Sequence, residues 1–166
     1  MNSGIIYCLD SNVLIEAWNK YYSPKFCPAY WDILNKLGKE EIIFIPTAVA
    51  EEIIRTEDEL SGWLRKSDIK IHHDTEIVIQ KLQDIYASNP IHQRLVDSTK
   101  QRSLADPWVI AHAMAQNAVV VTKEELVTDV RSKRVKIPNV CDNMNVRWIN
   151  AFEFIGELNI KFSCEI

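Results

Sequence analysis

The sequence lacks the features that would assign it to several common classes of protein. Its four cysteines form no C-x-x-C pair and have no histidines at zinc-binding spacing, so a zinc site is not indicated. We expect buried free thiols instead, since Cys8 lies in an apolar run and Cys141 beside Val140. No apolar run is long enough to span a membrane, and residues 1–4 carry no basic segment of a signal peptide. A cytoplasmic protein without a membrane partner is therefore expected.

Positive charge is also scarce. The chain has 19 Lys and Arg residues against 23 Asp and Glu residues, which gives a net charge of −4. Any binding of nucleic acid would therefore depend on local basic patches. Two segments qualify, the run 131–136 and the pair Lys100 and Arg102, although each also fits a solvated surface.

The sequence does contain the hydrophobic pattern of an α/β protein. Hydrophobic residues make up 47% of the chain and charged residues 25%, as in ordinary globular domains. Short apolar runs predict strands at residues 5–9, 41–45, 118–121 and 146–149. Helical patterns lie between these strands, at residues 13–22, 30–37, 58–66, 75–87, 91–102 and 106–116. A further helical pattern begins at residue 47, and a short helix follows the last strand and runs through residue 157. The helix at 30–37 is expected to stop at Gly38. Strands alternating with helices imply a parallel sheet covered on both faces, hence one α/β domain over residues 1–166.

One candidate site residue follows the first strand directly. Asp10 stands where the strand ends, and ligands of open α/β sheets gather outside the carboxyl ends of the strands. The alternative is that Asp10, Ser11 or Asn12 only caps the next helix.

A pair of glutamates lies early in the helix that begins near residue 47. Glu51 and Glu52 both flank the apolar face formed by Val49 and Ile53, so spacing does not choose between them. A purely structural role is the alternative, because negative charge near a helix N-terminus complements the helix dipole.

Two further acidic positions open later segments. Asp106 precedes Pro107, a pair that also fits an N-cap followed by proline at the first helical position. Thr122 and Glu125 fit a capping box, which would leave Glu124 free to point into a cleft.

The histidines carry a weaker signal than the carboxylates. We expect His72 and His73, with Asp74, at the surface, and His112 packed in the core.

Taken in order, these motifs resemble those of PIN domains. An apolar strand leads into Asp10-Ser11-Asn12 and further apolar residues, and a helix-borne glutamate precedes Ile53-Ile54. Asp106 opens a helix of the form Asp-x-x-Ile-Ala, with one extra residue before the isoleucine. The fourth motif departs from the family pattern Thr-x-Asp, because Thr122 is followed two residues later by Glu124.

The resemblance implies a three-layer α/β/α sandwich with a parallel sheet of about five strands and a carboxylate cleft that binds Mg²⁺ or Mn²⁺. The residues expected to be catalytic and to hold the metal are Asp10, Glu52, Asp106 and Glu124. Asp10 and Asp106 are the expected direct ligands, and the two glutamates would hold metal-bound waters or a second ion. Ser11, Asn12 and Thr122 would orient the carboxylates or contact phosphate.

The resemblance also implies a function and partners. Many small members of the family are metal-dependent endoribonucleases that act as toxins of type II toxin–antitoxin pairs. We therefore expect an RNA substrate and a cognate antitoxin protein, and leave a homodimer open. The alternative is a catalytically inactive PIN-like fold that binds protein or RNA. A haloacid-dehalogenase-type phosphatase is disfavoured, since it needs a second aspartate where this chain has Asn12.

Overall fold

A five-stranded parallel sheet forms the centre of the protein in a computed structural model that describes residues 4–96 and 104–166. The strands are β1 (Tyr7–Leu9), β2 (Ile43–Pro46), β3 (Lys70–His72), β4 (Val119–Val121) and β5 (Trp148–Ile149). Their order across the sheet is β3-β2-β1-β4-β5, and every neighbouring pair is parallel. The predicted α/β class with about five parallel strands is confirmed.

Helices cover both faces of this sheet. They are α1 (Ser11–Glu16), α2 (Pro28–Lys39), α3 (Thr47–Ile54), α4 (Glu59–Lys66), α5 (Glu76–Ser88), α6 (Asp106–Gln116), α7 (Ile137–Asn143) and α8 (Ala151–Glu157). A π-helical turn, Ala17–Tyr21, continues α1, and a 3₁₀ turn spans Pro90–Leu95. All residues of β1, β2 and β4 are buried. Since successive side chains of a strand point to opposite faces, both faces must be covered, as in a three-layer sandwich.

The strand that the sequence did not predict lies at the edge of the sheet. β3 carries Lys70 and His72 around a single Ile71, so it has neither an apolar run nor a buried face. Its pairing with β2 comes from tertiary structure and not from local propensity. The helix expected at 91–102 is replaced by the 3₁₀ turn as far as Leu95, and residues 97–103 lie outside the described part of the chain.

Gly38 does not stop α2 as expected. The helix continues to Lys39, and Glu41 beyond it adopts the left-handed conformation with φ of 58°. A Cβ on Gly38 would lie 2.6 Å from the Cα of Ile69. The glycine is therefore needed because α2 touches the backbone that leads into β3, and not because the helix ends there.

The thiols and histidines follow the expectations in part. All four cysteines are free, with Cys8 and Cys141 buried as expected, but Cys164 is exposed. His112 is buried, and its Nε2 lies 2.8 Å from a carboxylate oxygen of Asp74. His73 and Asp74 are at the surface, while His72 is only half-buried. Within the described residues no helix is long and apolar enough to cross a membrane.

The close approach at Gly38 predicts opposite effects for two matched substitutions. Gly38→Ala places a methyl group against backbone that cannot rotate away, so we expect a loss of about 1–3 kcal/mol in the free energy of unfolding. Gly62→Ala lies inside α4 with nothing within 4 Å of the new Cβ, so a gain of about 0.5–1 kcal/mol is expected. Urea denaturation of both variants measures this, and equal effects would contradict the contact.

Candidate active site

The carboxyl edge of the sheet brings Asp10 and Thr122 together. Asp10 follows β1 and Thr122 follows β4, two neighbouring strands paired with Leu9 opposite Val121. The backbone N–H of Asp10 donates to the carbonyl of Val121 at 3.0 Å. The hydroxyl of Thr122 then donates to Asp10 Oδ2, also at 3.0 Å. Two contacts from β4 thus fix both the backbone and the side chain of Asp10.

Asp10 is a carboxyl group in an unfavourable environment. Its side chain is fully buried at the start of α1, but it makes no capping hydrogen bond to that helix. Burial, the largest cause, acts together with the negative charges of Glu124 and Glu52 to raise the pKa of Asp10 to about 7, against the lowering effect of the Thr122 hydrogen bond. The structure therefore brings these three acidic side chains within electrostatic reach of one another. Glu52 is half-buried, whereas Glu51 is exposed.

Glu124 is held by the segments around it. Its backbone N–H donates to the hydroxyl of Thr122 at 3.1 Å, and its Oε2 accepts from the N–H of Ile137, the first residue of α7, at 2.9 Å. The expected capping box between Thr122 and Glu125 is wrong. No helix begins between Thr122 and Lys136. The hydroxyl of Thr122 instead donates to Asp10 and accepts from the N–H of Glu124, and Glu125 is exposed.

Asp106 is buried in the first turn of α6, a helix that packs against β1, β2 and β4. The N-cap alternative is not what the structure shows, because Ala105 occupies the N-cap position and Asp106 is the first helical residue.

The donor groups fit a hard divalent cation by their chemistry. Asp10, Glu52 and Glu124 offer only oxygen atoms, the ligands that Mg²⁺ and Mn²⁺ prefer, and their mutual repulsion would be relieved by a bound cation. Across residues 4–96 and 104–166, no three His, Cys, Asp or Glu side chains form a ready-made metal cage. Mg²⁺ needs none, since it commonly keeps several waters and binds through one or two carboxylates.

An open cleft of about 1000 Å³ lies beside Glu124. Asn12 and Glu124 line it, and so do Lys123 and Lys136, while Ser11 is buried with its hydroxyl 3.5 Å from Asp10 Oδ1. Five aromatic side chains also line it, namely Tyr21, Tyr22, Tyr30, Trp148 and Phe152. Sequence reasoning missed these rings, because they come from four separate segments and share no local pattern.

The structure describes one of the two basic segments that the sequence indicated. Within 131–136, Arg131 is exposed and lies 3.6 Å from the Asp129 carboxylate, and Lys136 reaches the cleft. The pair Lys100 and Arg102 lies outside the described residues. Sequence reasoning also passed over Glu16 of α1, which forms ion pairs with Lys20 and Lys123 at the cleft. A helical glutamate has no local feature that reveals such a contact.

Comparisons with known proteins agree with this geometry. The chain is similar to a chain of VapBC2 from Rickettsia felis, a structure solved bound to a DNA fragment from its promoter. The two chains are 19% identical with a TM-score of 0.58, and the match covers 88% of this chain and 98% of the other. It is also similar to VapBC-1 from nontypeable Haemophilus influenzae, at 13% identity and a TM-score of 0.58, covering 89% and 99%. These likenesses show that the chain has the fold of PIN-domain proteins.

The family itself is shown by sequence. The chain belongs to the family described as domain of unknown function DUF4411, whose model matches residues 7–162. A comparison with curated proteins finds no match.

The environment of Asp10 predicts an unusual effect on stability. Because the folded state raises the pKa of Asp10 from about 4 to about 7, the free energy of unfolding should fall as pH rises through that interval. In chelator-treated protein, Asp10→Asn should therefore be more stable than the parent at pH 8, by on the order of a few kcal/mol, with the difference shrinking toward pH 4. Thermal melts at both pH values measure this, with exposed Glu125→Gln as the control. A destabilised Asp10→Asn protein at pH 8 would contradict the assignment.

Proposed function

We propose that this protein is a metal-dependent endoribonuclease of the PIN class that acts as the toxin of a toxin–antitoxin pair. The observation that carries the proposal is the buried Asp10 carboxyl, with its pKa raised to about 7 beside Glu124 and Glu52. This arrangement stands at the carboxyl edge of a parallel sheet, where α/β proteins bind ligands, and beside an open cleft. Perturbed carboxyl groups at such a position are typical of functional sites.

The proposed metal is Mg²⁺ or Mn²⁺. Asp10 and Asp106 would hold the ion directly, and Glu52 and Glu124 would hold its waters or a second ion. A bound ion supplies Lewis-acid stabilisation of the phosphodiester and lowers the pKa of an attacking water.

The chain's own residues have separate tasks in this scheme. The hydroxyl of Thr122 fixes the orientation of Asp10, and the N–H of Ile137 fixes Glu124. Asn12 and Lys136, which line the cleft, would contact the phosphates of the substrate.

The proposed partner is an antitoxin. Both solved structures reported above are VapBC assemblies, and the chain covers nearly the whole length of each matched chain. A single chain with this fold would therefore fit a pair in which a second protein holds the nuclease inactive. Residues 1–166 would act as one PIN-like unit in the cytoplasm.

The alternative is an inactive PIN-like module that binds protein or RNA. Such a module would have no use for a buried carboxyl group that electrostatic repulsion disfavours. The retained carboxylates at all four positions support an enzyme.

Substitutions at the carboxylates test the enzyme directly. Asp10→Asn, Asp106→Asn and Glu52→Gln should each lower RNA cleavage in Mg²⁺ by at least about 100-fold, since loss of even an outer-sphere group at a metal site costs about 10- to 100-fold. Glu51→Gln and Glu125→Gln remove the same charge from exposed neighbours and should retain activity within a few-fold. Cleavage rates on total RNA, with circular dichroism to verify folding, give the result. Full activity in folded Asp10→Asn protein would leave only the binding module.

Metal binding should also raise stability. At about 100 times its dissociation constant, Mn²⁺ should add about 2.7 kcal/mol to the free energy of unfolding, provided that the unfolded chain does not bind it. Thermal melts across a millimolar titration measure the shift, which Asp10→Asn should reduce strongly. A melting temperature that does not respond to Mn²⁺ in the parent protein would count against the metal site.

A further inference from the structure

The C-terminal tail, residues 159–166, turns back from the end of α8 onto the body of the protein. Asn159 adopts the left-handed conformation with φ of 53°, and its N–H donates to the carbonyl of Gly156 at 3.0 Å. The N–H of Ile160 donates to the carbonyl of Ile155 at 3.1 Å. These two bonds form a Schellman motif, which sets the direction in which the tail leaves the helix. Ile160 then packs against the hydrophobic core.

Phe162 docks this tail on two aromatic rings. Its ring centroid lies 5.6 Å from that of Tyr22 and 6.5 Å from that of Tyr30, with interplanar angles of 29° and 34°. The two tyrosine rings stack on each other, with centroids 4.3 Å apart. Both tyrosines line the cleft beside Glu124. The tail is therefore in contact with one wall of that cleft.

Cys27 borders the same pair of tyrosines. It immediately precedes α2, and its carbonyl accepts from the N–H of Tyr30 at 3.3 Å. Burial is the main cause of the raised pKa of the Tyr22 and Tyr30 hydroxyls, and the charge of a Cys27 thiolate beside them is a smaller one. The Cys27 thiol is free and half-buried. It thus lies on the surface where Phe162 docks.

The tail carries a second free thiol. Cys164 is exposed and stands two residues beyond Phe162, so the Cα atoms of these two residues are at most about 7 Å apart. Every residue from 161 to 166 is exposed. A disulfide needs Cα atoms about 4.4–6.8 Å apart. The span from the docked ring to Cys164 is therefore comparable with the reach of a disulfide.

The other two cysteines are protected from the same chemistry. Cys8 and Cys141 are fully buried, and burial raises the pKa of both thiols well above the usual range. The thiolate is the reactive form of cysteine, so these two thiols should stay inert in the folded protein. Oxidation of the folded chain is then restricted to Cys27 and Cys164.

We propose that Cys27 and Cys164 form a disulfide when the protein meets hydrogen peroxide, and that this bond locks the tail onto the Tyr22–Tyr30 wall of the cleft. Phe162 holds the tail where the two thiols can meet. Disulfides that form transiently in the cytosol are typical of redox sensing.

The chemistry balances with peroxide as the only oxidant. The exposed Cys164 thiolate attacks one peroxide oxygen, so the O–O bond breaks and a sulfenic acid and hydroxide form. The Cys27 thiolate then attacks the sulfenic sulfur, the S–S bond forms and the S–O bond breaks with release of a second hydroxide. The protons of the two thiols convert both hydroxides to water. Two thiols are oxidised by two electrons, and one peroxide is reduced to two waters.

The bond can be located by peptide mapping of the full chain. Protein treated with peroxide, alkylated and digested with trypsin without reductant should yield fragments 26–36 and 162–166 joined to each other, since Lys25, Lys36 and Lys161 are the cleavage sites. Cys27→Ser and Cys164→Ser should each abolish the joined fragments. A disulfide through Cys8 or Cys141, or a link only between two copies of Cys164, would overturn the proposal.

The role of docking is tested by the rate of bond formation. Phe162→Ala releases the tail, which lowers the effective concentration of Cys164 at Cys27, so the joined fragments should form about 10-fold more slowly. Ile166→Ala is the matched control, because Ile166 lies in the same tail and is fully exposed. It should form the bond at the rate of the parent protein. Equal rates in Phe162→Ala and the parent protein would contradict the docked tail.

The lock itself is measured by stability. Residues 27 and 164 are 137 positions apart, so linking them restricts the unfolded chain strongly, and oxidised protein should melt about 5 °C higher than reduced protein. Dithiothreitol should reverse the shift, and Cys164→Ser protein should show none. An unchanged melting temperature in protein with the mapped bond would reject the lock. Neither metal nor RNA enters these measurements, so they are independent of the proposed nuclease.

Discussion

The hydrogen bond from Thr122 to Asp10 joins the fold of this protein to its chemistry. It crosses from β4 to β1 at the carboxyl edge of the sheet, and it depends on the parallel register that sets Leu9 opposite Val121. A hydroxyl that donates to a carboxylate stabilises its charged form, while burial and the charges of Glu124 and Glu52 act against it. The site therefore holds Asp10 in position but leaves its charge unsatisfied. That imbalance is what a divalent cation would correct.

The same threonine also organises the chain that follows it. Thr122 accepts from the N–H of Glu124, and the Glu124 carboxylate reaches forward to the start of α7. Thr122, the first residue after β4, thus positions two acidic residues. It fixes the carboxylate of Asp10, which follows the neighbouring β1, and the backbone of Glu124, which follows β4. The loop that results forms one wall of the cleft, so the acidic site and the aromatic surface share a boundary.

Sequence reasoning succeeded where the physical signal was local. The runs around β1, β2, β4 and β5 are short and largely apolar, which predicted them as strands. Their alternation with helices predicted that the strands run parallel to one another. Sequence reasoning failed where tertiary contacts decide the outcome. β3 has no apolar run that could predict it. Gly38 is required by its close contact with the backbone of Ile69, which is thirty-one positions away. The Thr122–Glu125 pattern predicted a capping box, but the Thr122 hydroxyl donates to Asp10 instead. The aromatic cleft joins rings from Tyr21 to Phe152, and no single window of sequence contains it.

The central claim is that Asp10 belongs to a divalent-cation site, and anomalous diffraction tests it most directly. Crystals of the protein soaked in Mn²⁺ should show an anomalous difference peak about 2 Å from an Asp10 carboxylate oxygen, with Asp106 as the second direct ligand. Crystals of Asp10→Asn protein should lose that peak under the same conditions. A peak elsewhere on the molecule, or none near Asp10 in the parent protein, would contradict the account.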